Sequence, residues 1–144
     1  MGYIANGVER SAAYVAPRPN SQLALFQALP VSRYSNNDET VIRKAFVMSL
    51  KPGADSEYER RHNPIWPELS AVLTAHGVRA YSIFLHAQTR QLFAFAEIQD
   101  EARWEAIAET EVCQRWWAHM RELMAVNEDN SPVSVALREV FHFE

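Results

Sequence analysis

Three runs of β-forming residues, 42–50, 78–86 and 91–99, carry apolar side chains at both parities. Phe46 and Met48 stand beside Ala45 and Val47 in the first, and Phe93 and Phe95 beside Leu92 and Ala94 in the third. Successive side chains of a strand point to opposite faces of a sheet, so runs of this kind belong to a sheet buried on both faces. The segments between them have helical spacing. After the turn signal Lys51-Pro52-Gly53, Asp55 or Ser56 can cap a helix that carries Tyr58, Arg61 and His62. Asn63-Pro64 stops it, because a residue before proline disfavours the αR conformation. Pro67 opens a second piece through His76, with Leu69, Val72 and Leu73 on one stripe and Gly77 as its cap. A hairpin-length loop, 87–90, joins the second and third runs. Asp100 caps a helix through about Glu109, Thr110 opens another through about Val126, and a turn-rich stretch, 127–132, leads to a last strand expected at 137–143.

The order is β-α-β-β-α-β, an α+β fold of the ferredoxin-like sandwich type, with helices on one face of an antiparallel sheet. Too little chain remains for a second helical layer. The other face is therefore expected to meet a second copy of the sheet in a homodimer; the alternative is a ligand cavity behind one parity of a monomer. The domain is expected to span 41–144. Residues 1–40 hold Gly2, Gly7, Pro17, Pro19 and Pro30, end in the polar run Ser35-Asn36-Asn37-Asp38-Glu39-Thr40, and show no sustained period. They are expected to be an irregular extension with no catalytic role. The segment matches a secretory signal poorly, and Asn6 stands where a myristoylation signal has Ser or Thr. A bacterial start at a valine codon would make Val41 the first residue.

Lys and Arg number 14 against 18 Asp and Glu, so no basic surplus points to nucleic acid or an anionic membrane. No apolar run approaches the roughly 18 residues of a membrane-spanning helix. The single cysteine, Cys113, cannot form an internal disulfide, which fits a reducing, cytoplasmic setting.

The densest polar-aromatic segment is Tyr58-Glu59-Arg60-Arg61-His62-Asn63-Pro64-Ile65-Trp66-Pro67-Glu68. Tyr58 and His62, four apart, share a helix face. An imidazole at a helix end, with an ordinary pKa near about 6.5, can exchange protons near neutrality. On the residues alone, a plain structural role for it, as a cap or a satisfied half-buried side chain, is the favoured reading. Trp116 and Trp117 point about 100° apart on a helix, so they either split between core and interface or line the corner of a pocket as a platform for a sugar. Trp66 and Trp104 are expected in the core, and Cys113 as a small buried apolar group. Histidines 62, 76, 86, 119 and 142 fall on separate elements with no metal-binding pair. There is no phosphate-cradling glycine loop and no nucleophile elbow. What remains is a cofactor-free acid/base enzyme or a binding module.

On these segments the chain resembles the L-rhamnose mutarotase family, over 41–143. The matching runs are Ile42-Arg43-Lys44-Ala45-Phe46-Val47-Met48, the segment from Tyr58 to Glu68, Val112-Cys113-Gln114-Arg115-Trp116-Trp117, Asp129-Asn130-Ser131-Pro132-Val133-Ser134 and Glu139-Val140-Phe141. The resemblance implies a cytoplasmic homodimer built as a dimeric α+β barrel, with no cofactor or metal and no nucleic-acid or membrane partner. It implies an enzyme that interconverts the α and β anomers of L-rhamnose in rhamnose catabolism. His62 would be the proton donor, and Tyr58, Tyr81, Trp116 and Trp117 the sugar-binding residues. Two other classes share the expected fold: a dimeric monooxygenase or haem-degrading enzyme, and a non-catalytic sugar-binding module.

Overall fold

The computed structural model describes residues 41–144, so the extension expected over 1–40 lies outside the described residues. Four strands, β1 (Ile42–Ser49), β2 (Val78–His86), β3 (Gln91–Ile98) and β4 (Val135–Leu137), form one antiparallel sheet in the order β2-β3-β1-β4. The register separates the two parities cleanly. Leu92 pairs with Met48 and Leu85, Ala94 with Phe46 and Ile83, and Ala96 with Lys44 and Tyr81. That face is dry: Leu92, Ala94, Ala96 and Ile98 are all buried. On the opposite face Phe84, Phe93, Val47 and Val135 form one row, and Ser82, Phe95, Ala45 and Leu137 the next. Phe84 and Val135 are each 65% exposed. The described residues thus bury the centre of one face of the sheet and leave the other apolar and open.

The helices α1 (Asp55–His62), α2 (Pro67–Ala75), α3 (Glu101–Ala106) and α4 (Glu111–Met120) start and stop where local chemistry dictates. Asp100 caps α3 by accepting from the Arg103 N–H at 2.8 Å, and the Thr110 hydroxyl caps α4 by accepting from the Cys113 N–H at 3.3 Å. Pro67 occupies the first turn of α2, where its missing N–H costs nothing. No side chain caps α1. Ala54 precedes it, and Asp55 sits inside the first turn, where its carboxylate faces the positive end of the helix dipole. A single turn of 3₁₀ helix, Ile107–Glu109, joins α3 to α4.

Two boundaries differ from the sequence reading. The helix opened by Thr110 ends at Met120 rather than near Val126, because the chain there bonds to the end of β1. Lys51 N–H donates to the Leu123 carbonyl at 2.8 Å, Ala125 N–H donates to the Ser49 carbonyl at 3.0 Å, and Leu50 and Met124 form an antiparallel bridge. Leu123 and Met124 are both buried in the core where the chain meets the end of β1. The last strand is Val135–Leu137 rather than 137–143, paired with Val47 to Ala45. Beyond it Arg43 holds Glu139 through two hydrogen bonds, at 2.8 and 3.1 Å, while Val140, Phe141 and Phe143 are exposed. Trp66 and Trp104, expected in the core, are only half-buried. The core is built from Met48, Leu50, Tyr58, Leu69, Leu92, Trp116, Met120 and Met124.

Gly77 (φ +79°) and Gly53 (φ +75°) both take the left-handed conformation, but only Gly77 is crowded: a Cβ there would stand 2.7 Å from Gln99 Oε1. Gly53→Ala should cost about 1–2 kcal/mol for conformation alone. Gly77→Ala should cost distinctly more. Urea denaturation of the two variants side by side checks this, and equal losses would contradict it.

Candidate active site

α1 is short and mostly charged, and Tyr58 is its buried residue. Its final turn delivers His62 to a cleft between the helices and the dry face of the sheet. The His62 Nδ1–H donates to the Tyr58 carbonyl at 2.9 Å; a carbonyl can only accept, so this bond fixes the tautomer. Nε2 is left as the ring nitrogen with a free lone pair. The imidazole stacks on the Tyr58 ring, with centroids 4.2 Å apart and planes 28° apart, and meets the Trp116 ring edge-on at 5.2 Å and 85°. Trp116 is itself backed by Trp66 at 5.1 Å and His119 at 5.8 Å. One helix turn therefore presents an imidazole whose plane and proton are both set by neighbours.

Tyr81 enters from β2, on the same sheet face as Ala96, with its ring 5.8 Å from Trp104 and 6.3 Å from Phe46. Trp117 is half-buried beside Trp116. Tyr58, His62, Tyr81, Trp116 and Trp117, far apart in the chain, all line the one cleft. Trp66 does not; it supports Trp116 from behind, and the Arg115 guanidinium lies 5.6 Å from its ring centre.

Electrostatically the cleft favours neutral groups. Burial holds the His62 imidazole below its ordinary pKa, outweighing the Tyr58 carbonyl, which pulls the other way. Burial raises the Tyr58 phenol, and the nearby Tyr81 adds to it. Tyr81 keeps 39% of its surface exposed as a whole residue, yet desolvation of the phenol, with Cys113 close by, pushes it up as well. The Cys113 thiol is pushed up to about 11 by burial. At neutral pH the cleft accordingly presents a neutral imidazole with one open acceptor nitrogen, two intact phenols and an indole wall. Among the described residues no three His, Cys, Asp or Glu side chains gather as a metal would need.

Sequence reasoning missed Phe46 and Trp104, which frame Tyr81. Phe46 was within reach, since it shares strand parity with Met48 on the buried face; Trp104 was assigned to the core instead. Arg61 is ion-paired with Glu57 and Glu122. Its spacing from Glu57 is visible in sequence, but its bonds to the His119 carbonyl and Glu122 bridge about sixty residues and are not.

An open antiparallel four-stranded sheet with helices on one face, holding an aromatic cleft, defines an α+β protein of the ferredoxin-like kind. The L-rhamnose mutarotase family model matches residues 43–143. An L-rhamnose mutarotase of Opitutus terrae is 66% identical over 104 residues, which is 72% of this chain and all of the relative. The crystal structure of an L-rhamnose mutarotase from Formosa agariphila is 43% identical, with a TM-score of 0.65 over 71% of this chain and 98% of that one. A putative antibiotic biosynthesis monooxygenase from Bordetella bronchiseptica, 12% identical, superposes with a TM-score of 0.53 over 70% of this chain and 98% of its own; that likeness is one of fold alone. This chain belongs to the L-rhamnose mutarotase family.

Trp116 and His62 should differ sharply in structural weight. Trp116 is buried in the core cluster, so Trp116→Ala should cost about 3–5 kcal/mol. His62 makes one hydrogen bond, to a main-chain carbonyl, so His62→Ala should cost on the order of 1 kcal/mol. Denaturant titration of both variants checks the contrast; a His62→Ala variant as unstable as Trp116→Ala would make the imidazole a structural group.

Proposed function

We propose that this chain is a sugar isomerase that interconverts the α and β anomers of L-rhamnose in rhamnose catabolism, without a cofactor, and that His62 moves the protons. The carrying observation is the His62 imidazole, neutral, fixed in tautomer and open at Nε2, set between the Tyr58 ring and the Trp116 indole. The full-length similarity to named L-rhamnose mutarotases supports the choice of sugar.

Mutarotation needs a proton removed from the anomeric hydroxyl and one delivered to the ring oxygen. Both oxygens are bonded to the same carbon, so one nitrogen placed over that carbon serves both. Nε2 takes the anomeric hydroxyl proton; the alkoxide collapses to an aldehyde and the carbon–ring oxygen bond breaks. The imidazolium then donates its proton to the departing ring oxygen, which is the proton-donor role of His62. Rotation about the adjacent carbon–carbon bond and reversal of the steps closes the other anomer. The base is then His62 itself. Tyr58 and Tyr81, held as intact phenols, hydrogen-bond the sugar hydroxyls, and Trp116 and Trp117 cover its apolar edge. Holding the ring so that Nε2 meets its oxygen supplies the orientation.

The open sheet face supports a homodimer through sheet packing, forming the dimeric α+β barrel, and Phe84, Phe93 and Val135 are its natural centre. Phe84→Asp should shift the protein towards monomer in sedimentation equilibrium. A wild-type monomer would refute the dimer. The proposed setting is the cytoplasm, with 41–144 as the catalytic domain and 1–40 as an extension without catalytic role.

Saturating one anomeric proton of L-rhamnose by NMR should show transfer to the other, accelerated by the protein and lost with His62→Ala. Line broadening of the sugar without acceleration would make the chain a binding module. Because the neutral ring starts the cycle, kcat/KM should fall as pH drops through the His62 pKa, at a midpoint below 6.5, and stay level above it. A rate that instead declines as pH rises through that midpoint would show that His62 must begin protonated.

A further inference from the structure

We propose that Arg61 is a positioning residue of this site: its guanidinium ties the last turn of α1 to the last turn of α4 and thereby sets how His62 meets Trp116. The proposal deepens the mutarotase reading and rests on it for its kinetic consequence.

Among the described elements, α2 runs beside both α4 and β2 at close main-chain range, whereas no strand or helix does so along α1. α1 is therefore held chiefly by side chains. Tyr58 anchors its middle in the core. Arg61 anchors its end. Although it is an arginine, its side chain is only 11% exposed, and its planar fork meets three acceptors. Nε donates to Glu57 at 2.7 Å on its own helix, Nη1 to the His119 carbonyl, and Nη2 to the Glu122 carboxylate. The His119 carbonyl is one of the last four of α4, which lack a partner within the helix. A cation there also meets the negative end of the helix dipole. The bond thus satisfies α4 while fixing its distance from α1.

The two ends joined this way carry the site. His62 is the next residue after Arg61, and Trp116 lies one turn before His119. The edge-on contact of the imidazole with Trp116 spans the same gap that the guanidinium bridges. A shift of α1 against α4 would move Nε2 relative to the sugar even with every sugar-binding residue still present. Arg60 provides an internal control. It is adjacent, carries the same charge and pairs with the same Glu57 at 2.6 and 2.7 Å, but its side chain is 69% exposed and it reaches nothing on α4.

The test compares Arg61→Met, Arg61→Lys, Arg60→Met and Glu122→Gln by anomer exchange, thermal unfolding and the NMR shifts of the His62 ring protons. Those protons sit against the Tyr58 and Trp116 rings, so their shifts report the geometry independently of turnover. Arg61→Met should lower kcat about tenfold or more with KM little changed, and move the His62 shifts towards those of a free imidazole. Arg61→Lys should restore only part, since the three donors of an ammonium radiate from one nitrogen and lack the planar spread with which the guanidinium reaches its separate acceptors. Arg60→Met should match wild type in both readouts, and Glu122→Gln, at an exposed partner, should give a smaller change in the direction of Arg61→Met. A folded Arg61→Met variant with wild-type kcat and shifts would overturn the proposal, as would equal losses in Arg60→Met. Should Arg61→Met fail to fold, unchanged kcat and shifts in Glu122→Gln would overturn it. A wild-type protein that leaves L-rhamnose anomers unexchanged would instead refute the mutarotase reading, and the ring shifts would still decide the role of Arg61.

Discussion

Strand alternation gives this sheet two faces, and the described helices reach only one. The rest of the structure follows from that. Leu92, Ala94, Ala96 and Ile98 close against the helices and need no partner, while Phe84, Phe93 and Val135 on the other parity find none among the described residues. The site has to lie on the covered side, where helix ends can overhang the strands. Tyr81 and Phe46 look up from the sheet there, and His62 and Trp116 look down from α1 and α4. Recognition of a second copy and recognition of a sugar can then use opposite parities of the same strands, so neither constrains the other's side chains.

Burial does the chemical tuning in the cleft. Desolvation favours the neutral form of every titratable group it reaches, lowering the imidazole and raising the phenols and the thiol. A metal or an ion pair would have tuned them differently and individually. Here a single cause leaves only the imidazole able to take a proton near neutrality, while the phenols remain donors of hydrogen bonds. The Tyr58 carbonyl completes the arrangement by occupying Nδ1. Tyr58 thus acts twice, its main chain orienting the imidazole and its ring forming the floor beneath it. That double use is available because the two residues are one helical turn apart.

Much of this was legible from the residues. The turn at Lys51-Pro52-Gly53, the stop at Asn63-Pro64 and the caps Asp100 and Thr110 each act within four residues of where they stand, and the structure keeps them close to the positions expected. The two misplaced boundaries have a different origin. Residues 121–126 have acceptable helix formers, yet they bond to the end of β1, a partner some seventy residues away. β4 ends at Leu137 although Val140, Phe141 and Phe143 have stronger strand propensity, because its length is set by pairing with Ala45 to Val47. The five site residues were named through the family's motifs; the residues alone favoured a structural role for His62 over a catalytic one. The tautomer, the stacking on Tyr58 and the depressed pKa are properties of packing, which a linear pattern does not contain.

The comparison with the monooxygenase fold shows where specificity must be stored. At 12% identity the two share the sheet and its helices, so that architecture carries no commitment to a sugar. In the reading proposed for this chain the commitment sits in the last turns of α1 and α4 and in one strand residue, Tyr81. Helix ends are the parts of such a fold least constrained by the sheet, which makes them free to vary between functions and also free to drift. A site built on them needs a tie of its own. Arg61, which spends two of its three bonds across that gap, on the His119 carbonyl in the last turn of α4 and on Glu122 just beyond it, has the placement and the geometry that such a tie requires.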